Sequence, residues 1–143
     1  MVININNLNT MNFRKISIIV PTLNEVHNVQ SLIERINAAF NNDKSLYEII
    51  FIDDNSTDGT YDVLKLLELS YPVSSYLKKG KPGKAYSLLE GFDHARFELI
   101  GFIDADLQYP PEAIPKMIEK IRRGDADIIV ANRKNRSEGM ARS

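Results

Sequence analysis

Two carboxylates, Asp104 and Asp106, stand two residues apart after the apolar run Leu99 to Ile103. Where an extended strand ends, residues two apart leave on the same side and can share a target. Like charges that close repel unless a cation sits between them. Hard oxygen donors of this kind suit Mg2+ or Mn2+, which take one or two carboxylates and complete their shell with water and phosphate oxygens. Gln108, two residues further on, can add a carbonyl oxygen or orient a bound water. An isolated Asp-x-Asp is more often a pair of loop acids, one of them capping the helix that follows Pro110. Position decides between the two readings.

Three other apolar runs end in similar polar clusters. Ile16 to Val20 leads into Pro21-Thr22-Leu23-Asn24-Glu25, Glu48 to Ile52 into Asp53-Asp54-Asn55-Ser56-Thr57-Asp58-Gly59, and Asp127 to Ala131 into Asn132-Arg133. In the second cluster Asp54, Ser56, Asp58 and Gly59 match positions of a calcium-binding EF-hand loop, but its twelfth position falls on Lys65, which cannot supply the bidentate carboxylate. A better reading makes Asp53 and Asp54 nucleotide-site candidates. Asp54 would accept hydrogen bonds from a nucleobase or ribose, while Ser56, Thr57 and Asp58 turn the chain and cap the next helix. The stretch Lys78 to Lys84 holds four lysines and two glycines. Lys84 and its neighbours can meet phosphate through ammonium groups or free backbone amides at a helix start, yet no P-loop or dinucleotide fingerprint is present and a solvated loop is an equal alternative. His27 and His94 have no partner in the sequence, and no Ser-His-Asp or Cys-His arrangement is visible. Arg133, Arg136 and Arg142 can meet a second anion or simply be solvated.

These clusters need elements to position them. Short runs rich in Ile and Val alternate with stretches of helical spacing, the pattern of βαβ units. The runs are Ile16 to Val20, Glu48 to Ile52, Val73 to Leu77, Leu99 to Ile103 and Asp127 to Ala131. Between them Val29, Leu32, Ile33, Ile36 and Phe40 share one helical face, and Thr22 with Glu25 has the spacing of a capping box. Tyr61, Leu64 and Leu67 mark a second helix, Ala85, Leu88, Leu89, Phe92 and Ala95 a third, and Ile114, Met117, Ile118 and Ile121 a fourth with Pro111 in its first turn. Right-handed crossovers turn this order into an α/β fold, an open, mostly parallel Rossmann-like sheet with helices on both faces. In such sheets ligands bind beyond the carboxyl ends of the strands. Every cluster above lies at such an end, which turns the preference for Asp104 and Asp106 toward a metal site.

Composition narrows the partners. The 143 residues carry 18 basic and 19 acidic side chains, a net charge of -1, so no global field draws in nucleic acid or an anionic membrane. Cysteine is absent, which excludes disulfides and thiolate metal sites and fits a reducing, cytoplasmic setting. No apolar stretch reaches the roughly 20 residues of a membrane helix. Residues 1–15, rich in asparagine, read as a flexible leader rather than a signal peptide. One domain is expected over residues 16–133, with 134–143 a tail leading toward an acceptor-binding region that the chain lacks.

Taken together, Ile18 to Glu25, Asp53 to Thr60 and Asp104 to Glu112 resemble, in the same order, the motifs of family 2 glycosyltransferases. The last segment is most similar to the branch of dolichyl-phosphate mannose synthases and bacterial polyprenyl-phosphate sugar transferases, and the likeness runs from Ile16 to Arg133. It implies that Pro21, Leu23 and Glu25 line the nucleotide pocket and Asp54 contacts the base. Asp104 would face the ribose or sugar phosphates, Asp106 and Gln108 would serve the metal, and Arg133 would meet the acceptor phosphate. The implied partners are a GDP- or UDP-linked sugar and a lipid phosphate, met at the cytoplasmic face of a membrane through peripheral contact. The implied reaction is an inverting displacement at the anomeric carbon. Members of the branch continue well past the length of this chain, so a nucleotide-sugar-binding domain without transfer activity is the alternative. A nucleotidyltransferase would carry a glycine-rich basic loop after its first strand, and Pro21 to Glu25 has neither glycine nor a basic residue.

Overall fold

The computed structural model describes residues 1–4, 15–124 and 128–129. Four strands run parallel: β2 (Ile16–Thr22), β3 (Tyr47–Asp53), β4 (Val73–Leu77) and β5 (Leu99–Phe102). With β1 (Val2–Asn4) and β6 (Ile128–Ile129) they form one sheet in the order β4-β3-β2-β5-β1-β6. Strand β1 lies antiparallel to both β5 and β6. The first residues, expected as a loose leader, therefore enter the sheet at Val2–Asn4. The edge of β5 offers unpaired backbone groups that any short segment can satisfy, and the Phe102 amide donates to the Met1 carbonyl (2.8 Å). Val2 is thereby buried in the core.

Alternation along the central strands separates two faces. Ile16, Ile18 and Val20 of β2, with Ile49 and Phe51 of β3, pack in one cluster with α1 (Val29–Ala39), α2 (Thr60–Leu67) and α4 (Ile114–Arg122). Ile19 faces the other way, toward α3 (Lys84–His94). A Cβ at Gly91 of α3 would lie 2.3 Å from the Ile19 Cγ2 methyl, so glycine is what lets this helix approach the sheet. The periodicity that placed Leu89 and Phe92 in a helix does not give its packed face. Ser87 and Gly91 are buried, whereas Leu89 is 65% and Phe92 45% exposed. Small residues set the contact because they allow the close approach.

Two further expectations are corrected. Thr22 and Glu25 do not cap α1, which begins at Val29 after Asn28 with no side-chain cap; Thr22 is drawn instead to Asp53, opposite it in the ladder. Pro111 opens a separate 3-10 turn (Pro111–Ala113) ahead of α4. Arg35 of α1 holds this turn by a two-pronged pair with Glu112, Nε to Oε1 at 2.9 Å and Nη2 to Oε2 at 2.8 Å. At the amino end of the sheet Glu48 is buried and accepts from Ser17 Oγ (2.7 Å), Arg96 N (2.9 Å) and Arg96 Nε (2.7 Å), tying down the segment after α3. No described helix is long and apolar enough to cross a membrane.

Candidate functional site

The carboxyl ends of β2, β3, β4 and β5 meet around the entrance to α3. The foundation is Asp53, the last residue of β3, which is fully buried. Its Oδ1 accepts from Thr22 Oγ1 (2.9 Å) and Ser56 Oγ (2.6 Å), and its Oδ2 from the Ser56 amide (2.9 Å). A carboxylate so engaged presents nothing to a ligand. Asp53, expected among the nucleotide-binding residues, is buried beneath the two loops and bound to Thr22 and Ser56.

The loops after β2 and β3 are zipped together above it. Asn24 N donates to Ser56 Oγ (2.8 Å), Thr57 N to Asn24 Oδ1 (2.9 Å), Glu25 N to Thr60 Oγ1 (3.0 Å) and Val26 N to Asp58 Oδ2 (3.1 Å). Asp58 Oδ1 takes the amide of Thr60, the first residue of α2, at 3.0 Å, as well as the Thr60 hydroxyl. The hydroxyl of Thr60, then the Val26 and Thr60 amides, hold the Asp58 carboxyl below its ordinary value. The helix-start role expected of Asp58 is thus present, with the N-cap position itself taken by Gly59. Asn24 and Asn55 adopt left-handed backbone angles (φ 54° and 57°), which asparagine tolerates better than most residues. The two loops form one ledge, with Pro21 half-buried and Leu23 55% exposed along it. Glu25 is half-buried, and its Oε2 accepts from Asn28 Nδ2 (2.8 Å).

From this ledge Asp54 reaches toward α3. Its Oδ2 accepts from the Gly83 amide (3.3 Å) and lies 3.6 Å from Lys78 Nζ. Lys84, the first residue of α3, pairs its ammonium with Asp104 Oδ1. Beyond Asp104 the chain turns. Ala105 is buried, Asp106 Oδ1 accepts from the Gln108 amide (3.1 Å), and Leu107 takes a left-handed angle (φ 62°). The two carboxylates flank a buried alanine and both remain partly exposed.

No group of three or more His, Cys, Asp or Glu able to hold a metal occurs among the described residues. Asp104, Asp106 and Gln108 fit a hard cation that draws the rest of its shell from water and ligand oxygens. The Lys84 ammonium already on Asp104 shows that this point of the edge attracts positive charge. Asp54, Lys84, Asp104 and Asp106 are thus brought to one edge of the sheet. Arg133, Arg136 and Arg142 lie outside the described residues. A shallow depression lined by Asn55, Ser56, Thr57, Gly59, Tyr61, Asp62 and Leu77 opens on the α2 side and includes none of the four. Lys78 was not separable from the neighbouring lysines by sequence. Its one signal is its place immediately after β4, where its amide continues the ladder to the Asp53 carbonyl (2.8 Å).

The family model described as Glycosyl transferase family 2 matches residues 17–142. The chain is 39% identical over 119 residues to a dolichol-phosphate mannosyltransferase of Pyrococcus furiosus, a match covering 83% of this chain and 33% of that protein. It is 32% identical over 138 residues to an undecaprenyl-phosphate 4-deoxy-4-formamido-L-arabinose transferase of Aeromonas hydrophila, covering 94% and 42%. The chain therefore spans about a third to two-fifths of the length of these relatives. Its fold is shared with a mannosyltransferase of Pyrobaculum calidifontis solved in complex with GDP-Man and Mn2+, at a TM-score of 0.65 and 22% identity over 80% of this chain and 33% of that one.

Proposed function

The chain belongs to glycosyl transferase family 2, and on that premise we propose that it holds the activated sugar for a metal-dependent, inverting transfer to a polyprenyl or dolichyl phosphate. The observation that carries this reading is the convergence of Asp54 and Asp104 on the start of α3, with Asp106 two residues beyond Asp104 in the same turn. The nucleoside lies on the ledge, between Pro21, Leu23, Glu25 and Asp54. The diphosphate lies toward Lys84 and the metal ligands Asp106 and Gln108, with Asp104 serving the ribose or sugar phosphates. The donor is a GDP- or UDP-linked sugar. The acceptor class follows the named substrates of the relatives, dolichol phosphate and undecaprenyl phosphate. Such a lipid would bring the reaction to a membrane, and its cytoplasmic face is the proposed side.

An oxygen of the acceptor phosphate forms the new bond to the anomeric carbon as the bond to the nucleoside diphosphate breaks, the electron pair leaving with the diphosphate. The attacking phosphate is already ionised near neutral pH, so no side chain need remove a proton. Mg2+ or Mn2+ held by Asp106 and Gln108 would supply positive charge against the departing diphosphate. Lys84 adds a second cation, and the ledge fixes the donor's orientation before reaction. Arg133 is assigned to the acceptor phosphate by resemblance.

Calorimetric titration of GDP and UDP into the protein, with and without Mn2+, tests the site. Tight binding that needs Mn2+ and is lost in Asp106→Ala is expected; equal binding in all four conditions would sink the assignment. A second reading is binding without transfer. Turnover with a lipid phosphate separates the two, since a binding domain retains metal-dependent affinity and yields no product.

A further inference from the structure

Lys78 is the one lysine of the Lys78 to Lys84 stretch whose side chain is wholly buried. A buried ammonium is costly unless it is paired and hydrogen-bonded. Here it donates to the Gly83 carbonyl, lies 3.6 Å from Asp54 Oδ2 and sits 5.9 Å from the centre of the Tyr86 ring. The Gly83 amide in turn donates to the same Asp54 oxygen (3.3 Å). Lysine, glycine and aspartate thus close a ring that joins the ends of β3 and β4 to the start of α3. Gly83 adopts φ 118° and ψ 151°, a conformation side chains rarely permit, so the segment depends on outside contacts to stay in place. Glu90 braces it from the helix, accepting from the amides of Lys79 (2.9 Å) and Gly80 (3.3 Å).

Both contacts to Asp54 fall on Oδ2, which leaves Oδ1 for a ligand. Asp54 is 20% exposed, so without Lys78 its charge would face a half-buried site with no balancing cation.

We propose that Lys78 is a positioning residue of the nucleotide site, fixing the charge and direction of Asp54 and the seat of α3 without touching the ligand itself. It does so because its ammonium is the shared partner of both. The proposal rests on the nucleotide reading given above, and the test separates them. Wild-type protein that binds neither GDP nor UDP with Mn2+ defeats that reading. A wild type that binds, with Lys78→Met binding equally well, defeats this one.

The expected result is a fall in nucleotide affinity of about tenfold or more in Lys78→Met, the scale of loss when one partner of a buried, hydrogen-bonded charge pair is removed. Lys78→Arg, which keeps the charge, should restore affinity to within a few-fold. In an Asp54→Asn background Lys78→Met should cost much less, because the carboxylate it serves is gone. Additive losses would overturn the role through Asp54, since independent residues add. If Lys78→Met does not fold, as judged by circular dichroism, Lys78→Gln replaces it, keeping a donor for Gly83 while removing the charge. An unchanged dissociation constant in that variant overturns the proposal equally.

Discussion

Replacing Asp53 separates a residue that builds the site from one that meets the ligand. In Asp53→Ala the buried hydroxyl of Thr22 and the amide of Ser56 lose the acceptor that sits 2.9 Å from each. A buried donor left without an acceptor costs about 1–3 kcal/mol, and bonds to a charged acceptor lie at the upper end of the range. Two such donors, with the lost Ser56 hydroxyl bond, give on the order of 4 kcal/mol. At roughly 4 °C per kcal/mol for a chain of this size the melting temperature should fall by about 15 °C. Asp53→Asn is a different perturbation. Its amide oxygen can still accept from Ser56 N, while its NH2 group faces two hydroxyls that can turn from donor to acceptor. A loss of about 1 kcal/mol is expected. Urea unfolding monitored by circular dichroism measures both, and nucleotide titration is run on the folded variants. Asp53→Asn should bind GDP or UDP nearly as wild type does, whereas Asp54→Asn should bind it weakly. Asp53→Ala with an unchanged unfolding midpoint would refute the structural role. Asp53→Asn that is stable yet blind to nucleotide would put the carboxylate on the ligand.

Three further outcomes follow from other parts of the molecule. Gly91→Ala gains about 1 kcal/mol of helix propensity, but its Cβ meets the Ile19 methyl at 2.3 Å, and overpacking costs about 1–3 kcal/mol or more; a lowered urea midpoint is expected, and a raised one would show that α3 does not lie this close. Burial first, and the nearby Tyr71 second, push the Tyr47 hydroxyl from 10.0 to about 12. The unfolded chain therefore ionises Tyr47 at lower pH than the folded one, so its contribution is intact below pH 10 and declines as pH rises toward 12. Ultraviolet titration should show one late-ionising tyrosine, absent in Tyr47→Phe, whose stability should vary less with pH in that window. Arg35→Ala removes an exposed pair with Glu112 and should cost under about 1 kcal/mol at low salt, shrinking further as salt is raised.

Much of the architecture is legible in the sequence because parallel strands covered on both faces must be continuously apolar. Ile16 to Val20 and Glu48 to Ile52 each extend by one or two residues into the observed β2 and β3, and the half-exposed edge strand β4 coincides with the run Val73 to Leu77. The misses share a cause. Periodicity reports which positions are apolar, not how close two elements come, so α3 packs through Ser87 and Gly91 while Leu89 stands in solvent. Strand β1, three residues long, is too short for a side-chain pattern to mark it, although its Val2 is buried in the core.

The site divides along the same line. Asp54, Asp104 and Asp106 are legible as candidates from their place at strand exits, where parallel sheets bind ligands. Thr22 is misread because its partner, Asp53, is across the ladder, 31 residues away in sequence and directly opposite in register. A capping box is a local inference, and a hydroxyl that can choose between a helix amide and a buried carboxylate takes the charged acceptor. Lys78 is hidden for the complementary reason: in sequence it is one of four lysines in a loop, and only the closure of Gly83 over its side chain distinguishes it. The residues proposed to meet a ligand are therefore the ones sequence position exposes, while those that hold them in place appear only when strands β2, β3 and β4 stand side by side.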